Sequence, residues 1–169
     1  MLQSIVGASL NGGSAYARLA QFFVDCCREF CSIEPEDVYK KMGELGQKAE
    51  EETLITMPLL YGSRRYSRYG NIQNLTYENF TPSQLIKSFL TGIAEELHEL
   101  YKLMPEAVRL GRVAIAASGN GIRKNPLLVH RIEKLFKVPV RLGEEQEDAA
   151  IGAAICAAAG CKIRPNFYI

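Results

Sequence analysis

RVAIAASGNGIRKNPLL, residues 112–128, is the stretch on which the fold turns. Arg112 to Ala117 is an apolar run that predicts a buried strand. It gives way to Ser118, to Gly119-Asn120-Gly121 and to two cations, and then a helix is expected from Asn125 to Phe136. A second strand is expected over Val138 to Leu142, and a small-residue helix over Glu147 to Ala159. Strand, helix, strand, helix at this spacing predicts right-handed parallel crossovers and an α/β domain. The glycine turn then lies at the carboxyl end of a strand, where ligands collect in open α/β sheets. Glycine lets a ligand approach the backbone closely, and amides at a helix start favour anions or polar edges. A plain tight turn has the same composition, so this loop alone does not decide between the two.

Farther back, ASLNGGSAYARL (8–19) repeats the arrangement. A strand is expected over Gln3 to Ser9, a turn over Leu10 to Gly13, and a helix from Ser14 to about Ser32. Leu19, Phe22, Phe23, Cys26, Cys27 and Phe30 recur at close to the helical period and predict its apolar face. Two glycine turns at strand-to-helix junctions would line opposite walls of one flat slot, suited to a planar base and its ribose. Neither is a Walker A loop or a dinucleotide fingerprint, which disfavours those classes.

Between these ends, Glu34-Pro35-Glu36 reads as a helix start with proline in the first turn, fading near Gly46. Thr53 to Leu60 is strand-like but broken by Pro58, as at an edge or bulge. Gly62 to Tyr77 reads as irregular. Thr81-Pro82-Ser83-Gln84 caps a helix to about Leu103 that buries Leu85, Phe89, Ile93 and Leu97.

Composition narrows the function classes. The 169 residues fit one domain, and 47% apolar content argues against disorder. A net charge of +1 gives no basic field for nucleic acid or anionic membrane. The one cation–tyrosine cluster, GSRRYSRYG (62–70), is thin support for nucleic acid. No apolar run reaches the ~20 residues that span a bilayer. The opening segment has no basic region of the secretory kind. Five cysteines, an odd number without zinc-site spacing, read as free thiols of a reducing cytoplasm. His98 and His130 lie in helices with no nucleophile or ligand at helical spacing. Asp25 and Asp37 read as solvent-facing helical charges, and neither is assigned as a catalytic base.

In their order and spacing these motifs resemble the C-terminal half of the FGGY carbohydrate kinases. The resemblance runs from about Ser4 to Arg164. It rests on Ala8-Ser9-Leu10-Asn11-Gly12-Gly13, on Thr56-Met57-Pro58-Leu59 with Gly62-Ser63-Arg64, on Ser118-Gly119-Asn120, and on Glu147 to Ala154. It implies a ribonuclease H-like lobe of the actin/hexokinase ATPase type, incomplete at its N-terminal hairpin, with 1–169 as the nucleotide-binding domain. Gly12, Gly13 and Ser14 match the family's turn beside the phosphates and ribose. Gly119, Asn120 and Gly121 match the glycine motif that packs on adenosine, and Lys124 and Asn125 a polar contact on the adenine side. ATP and Mg²⁺ are the implied cofactors, the metal being held by the phosphates and the other lobe. The acceptor is a sugar hydroxyl, with sedoheptulose favoured over xylulose, gluconate or glycerol. The catalytic base and sugar-binding residues of the family precede the matched stretch. The chain is therefore expected to be inactive alone and to self-associate through unpaired strands. The alternative is a non-catalytic lobe kept for binding or assembly.

Overall fold

The computed structural model describes residues 9–49, 53–63, 69–143 and 148–161, without the side chains of Asp148 and Ala149. The expected strand over 3–9 lies outside the described residues except for Ser9, which is irregular. Loop residues 64–68 and the acidic positions 144–147 also lie outside them.

The organising element is α3 (Pro82–Lys102). Its start follows from local chemistry: Thr81 is extended, its Oγ1 accepts from Gln84 N at 3.3 Å, and Pro82 occupies the first turn. One side of α3 buries Ile86, Phe89, Leu90 and Ile93 against Tyr16, Leu19 and Ala20 of α1 (Gly12–Cys31) and Met42 of α2 (Val38–Lys48). Each large apolar side chain buried here contributes about 1.5–3 kcal/mol relative to exposure. Leu85 and Leu97 pack against this core while only partly buried, and Leu127 and Leu128 of α6 (Pro126–Phe136) close it.

Another side of α3 meets β1 (Ile55–Met57). Ser88 Oγ and Thr56 Oγ1 share a buried hydrogen bond of 2.7 Å. A Cβ on Gly92 would lie 2.1 Å from Thr56 O and 2.6 Å from Pro58 Cδ, so glycine is the residue that lets helix and strand touch. Pro58 follows the last residue of β1, which pairs antiparallel with β2 (Asn71–Gln73) in the register Thr56↔Ile72. The segment that reads as irregular thus contains a strand. β3 (Ile115–Ala117) and β4 (Val140–Leu142) form the expected parallel pair in the register Ile115↔Val140, with single-turn helix α5 (Asn120–Arg123) and α6 between them. α4 (Glu106–Arg109) is another single turn, and α7 (Asp148–Gly160) ends the described chain.

Three expectations are corrected. α1 begins at Gly12, so both glycines lie in its first turn and not in a preceding loop. Phe30 is 86% exposed and Phe22 51%, because the core contacts of α1 are concentrated in its N-terminal half. α2 begins at Val38, after Asp37 takes a left-handed φ of 51°, so Pro35 and Asp37 both precede the helix. The five cysteines are free thiols, Cys26 and Cys27 partly buried and the others exposed. Among the described residues no helix is long and apolar enough to cross a membrane.

His98 lies near Phe136 and Tyr101, with ring centroids 4.9 and 6.5 Å away. Partial burial holds its imidazole below the usual value, Lys102 adds to this, and Glu99 opposes it. The unfolded chain then takes up this proton at about pH 6.5, before the folded chain does. Stability is expected to fall slightly as pH drops below that point and to level off once the folded form is also protonated. His98→Gln should flatten this component in melts recorded across the range. For Gly92→Ala, overpacking against backbone and ring is expected to cost about 3 kcal/mol. Gly43→Ala, mid-α2 with nothing within 4 Å of the new Cβ, should gain up to about 1 kcal/mol. Urea midpoints at unchanged m-value measure both.

Candidate functional site

The first glycine turn is the N-terminus of a helix of 20 residues. Gly12 has a φ of +31°, and a Cβ on Gly12 or Gly13 would meet nothing within 4 Å. Ser14 is exposed, and its Oγ donates to Asn11 O at 2.5 Å. The first intrahelical bond runs from Ala15 N to Asn11 O at 3.0 Å, so the amides of Gly12, Gly13 and Ser14 precede the helical ladder. No acidic side chain occupies this turn and Asn11 does not cap it with its side chain. The positive end of the helix dipole therefore meets no side-chain carboxylate of its own first turn.

In the second turn Gly119 has φ +95° and ψ 154°, a conformation restricted essentially to glycine. Asn120 and Gly121 open α5, Lys124 ends it, and all of these residues are exposed. Asn125 differs: it is only 6% exposed, and its Oδ1 accepts from Leu128 N at 3.3 Å as the cap of α6. Its side chain also stands close enough to Tyr16, on the second turn of α1, to bear on the phenol's titration. Burial pushes the Tyr16 phenol up, the neighbouring Asn125 side chain offsets this in part, and Tyr39 adds to the rise.

Tyr16 and Asn125 are thus neighbours where the two turns meet. A Cβ on Gly121 would sit 4.0 Å from Gly13 Cα. A planar ring sandwiched between two backbones needs roughly 7 Å, twice an ordinary carbon–carbon contact distance. The turns are therefore not opposite walls of a slot. They abut and form one continuous, largely exposed floor of bare backbone.

Sequence reasoning missed Asn11 as anything beyond part of a turn. It is 2% exposed and bonded to the loop after β1 and to Glu96 on α3. Those partners are 50 to 85 residues away in sequence, beyond the reach of any local pattern. A separate groove of about 700 Å³ lies between the end of α2, β1, α3 and α6, with Lys87, Glu95, His130, Arg131 and Lys134 among its lining. Lys87 Nζ donates there to Ala49 O. Asp25 accepts from Gln21 Nε2 at 2.7 Å, and Asp37 is exposed. Among the described residues no group of three or more His, Cys, Asp or Glu side chains is placed to hold a metal ion.

No protein-family model matches the chain. It is similar to the sedoheptulokinases of Homo sapiens (23% identical over 152 residues) and Mus musculus (24% over 152), each match covering 89% of this chain. The chain spans 31% and 32% of the length of those relatives. In structure it is similar to a ligand-bound xylulose kinase from Lactobacillus acidophilus, at a TM-score of 0.68 and 19% identity over 93% of this chain and 31% of that one. It is also similar to Plasmodium falciparum glycerol kinase with ADP, at a TM-score of 0.63 and 19% identity over 88% of this chain and 29% of that one. The resemblance to the FGGY carbohydrate kinases is borne out in sequence and fold. The architecture is the mixed α/β, ribonuclease H-like fold of the actin/hexokinase type, here in part.

Proposed function

We propose that this chain is the nucleotide-binding part of a carbohydrate kinase, with residues 1–169 forming its C-terminal lobe. The observation that carries the proposal is the joined floor: Gly13, in the uncapped first turn of α1, lies against Gly121 of the other turn. A nucleotide would lie across this floor, its phosphates at Gly12, Gly13 and Ser14 and its adenosine over Gly119, Asn120 and Gly121. Lys124 is exposed and free to swing toward the base edge. Asn125 serves the site from below, since its side chain caps α6.

The reaction is transfer of the γ-phosphoryl group of ATP to a sugar hydroxyl. The bond from the γ-phosphorus to its bridging oxygen breaks and leaves ADP, while the sugar oxygen forms the new bond. The hydroxyl proton goes to a base that this chain is not assigned. Likeness to two sedoheptulokinases favours sedoheptulose as the sugar and sedoheptulose 7-phosphate as the product. Xylulose and glycerol kinases share the fold, so sugar choice rests on groups elsewhere. Mg²⁺ supplies charge neutralisation on the phosphates; the described residues offer it no ligand cluster, and the phosphates and a second lobe would hold it. The five free thiols fit a cytoplasmic setting.

Calorimetric titration with ADP or ATP tests the proposal. Saturable binding is expected, and Gly121→Val should weaken it about tenfold or more, because branched carbons would rise from the floor and wedge against Gly13. A flat titration of a folded chain rejects the nucleotide site. With ATP and sedoheptulose the chain alone should show no turnover in a coupled ADP assay, because phosphoryl transfer depends on groups positioned by both lobes. Turnover that vanishes on mutating this chain would refute that division of labour.

A further inference from the structure

An asparagine at the N-cap ordinarily turns its side-chain oxygen back onto the amide of the second or third helical residue, here Gly13 or Ser14. Asn11 does not. Its Oδ1 accepts from Tyr61 N at 3.0 Å, and its Nδ2 donates to Gly62 O at 3.0 Å and to Glu96 Oε1 at 3.4 Å. Its own amide donates to Ser9 Oγ at 3.0 Å, and Ser9 Oγ donates to Glu96 Oε2 at 2.9 Å. The whole side chain is thus committed to distant partners while 2% exposed. Two consequences follow together. The helix start is pinned to the loop after β1 and to α3, and the amides that the cap would have consumed stay open.

We propose that Asn11 is a positioning residue: diverted from capping α1, it locks the glycine turn to Tyr61–Gly62 and Glu96 and leaves the Gly13 and Ser14 amides for an anionic group, the phosphates of a nucleotide. The inference rests on the nucleotide-binding reading above and adds to it a division within the site. Asn11 governs the phosphate end, whereas Gly119 to Gly121 carry the nucleoside end.

Asn11→Ser supplies the test, because serine is a good local cap and too short to reach Gly62 or Glu96. The full chain is compared with this variant by titration with ADP and with adenosine, which lacks phosphates, alongside amide exchange at Tyr61 and thermal melts. Expected are about tenfold weaker ADP binding, an adenosine affinity changed by less than about threefold, and exchange at Tyr61 faster by about tenfold or more. Glu96→Gln, a gentler change that leaves one acceptor for two donors, should show the same bias toward ADP in smaller measure, and it decides the matter if Asn11→Ser does not fold. Unchanged ADP affinity, or equal losses for ADP and adenosine, would overturn the positioning role while leaving the nucleotide site intact. A folded wild-type chain that binds neither compound would overturn the nucleotide reading and this role with it.

Discussion

α3 and β1 touch backbone to backbone, and that contact exists only because Gly92 has no side chain. Ser88, Gly92 and Glu96 recur every fourth residue and so form one stripe along α3. Ser88 bonds Thr56 within the strand, Gly92 receives the carbonyl of Thr56 and the ring of Pro58, and Glu96 receives Asn11. The loop leaving β1 reaches the same asparagine through Tyr61 and Gly62. The depth at which α3 seats on β1 therefore sets how far that loop and the start of α1 stand apart. A core helix and a candidate ligand turn are governed by one stripe of three small or polar residues.

The joined glycine turns have a different logic. Lys124 apart, what these turns offer a ligand is thinness and amides. Precision then has to come from behind, through the Asn125 cap of α6 on one side and Asn11 on the other. A bare surface held by buried polar anchors can vary its exposed residues, Ser14, Asn120 and Lys124, without losing its shape.

Much of this was legible in the sequence where chemistry is local. The Thr81–Pro82 and Asn125–Pro126 starts appear where cap and proline preferences put them, and the parallel β3–β4 pair follows from strand, helix and strand spacing. β2 was not legible, because Asn71-Ile72-Gln73 is too short and polar to show alternation and is a strand only by virtue of Met57, Thr56 and Ile55 opposite it. Single turns such as α4 and α5 lack a full period to detect. The glycine positions were visible; their meeting was not, since Gly13 and Gly121 lie more than 100 positions apart in sequence. Asn11 looked like a turn former because its neighbours in sequence say so, while its partners in space do not.

After Asp148, α7 is built from alanine, glycine and a few larger apolar residues, with no polar side to set against water and no extensive contact with another described element. A helix of its 13 residues is marginal in water when nothing packs on it. Its backbone ladder consequently opens at far less cost than that of α3, which requires the whole core to come apart. Among the described residues α7 is thus held less firmly than the core around α3, and a protease is expected to cut near the exposed Gly152 before it reaches the buried Ile86 or Leu90.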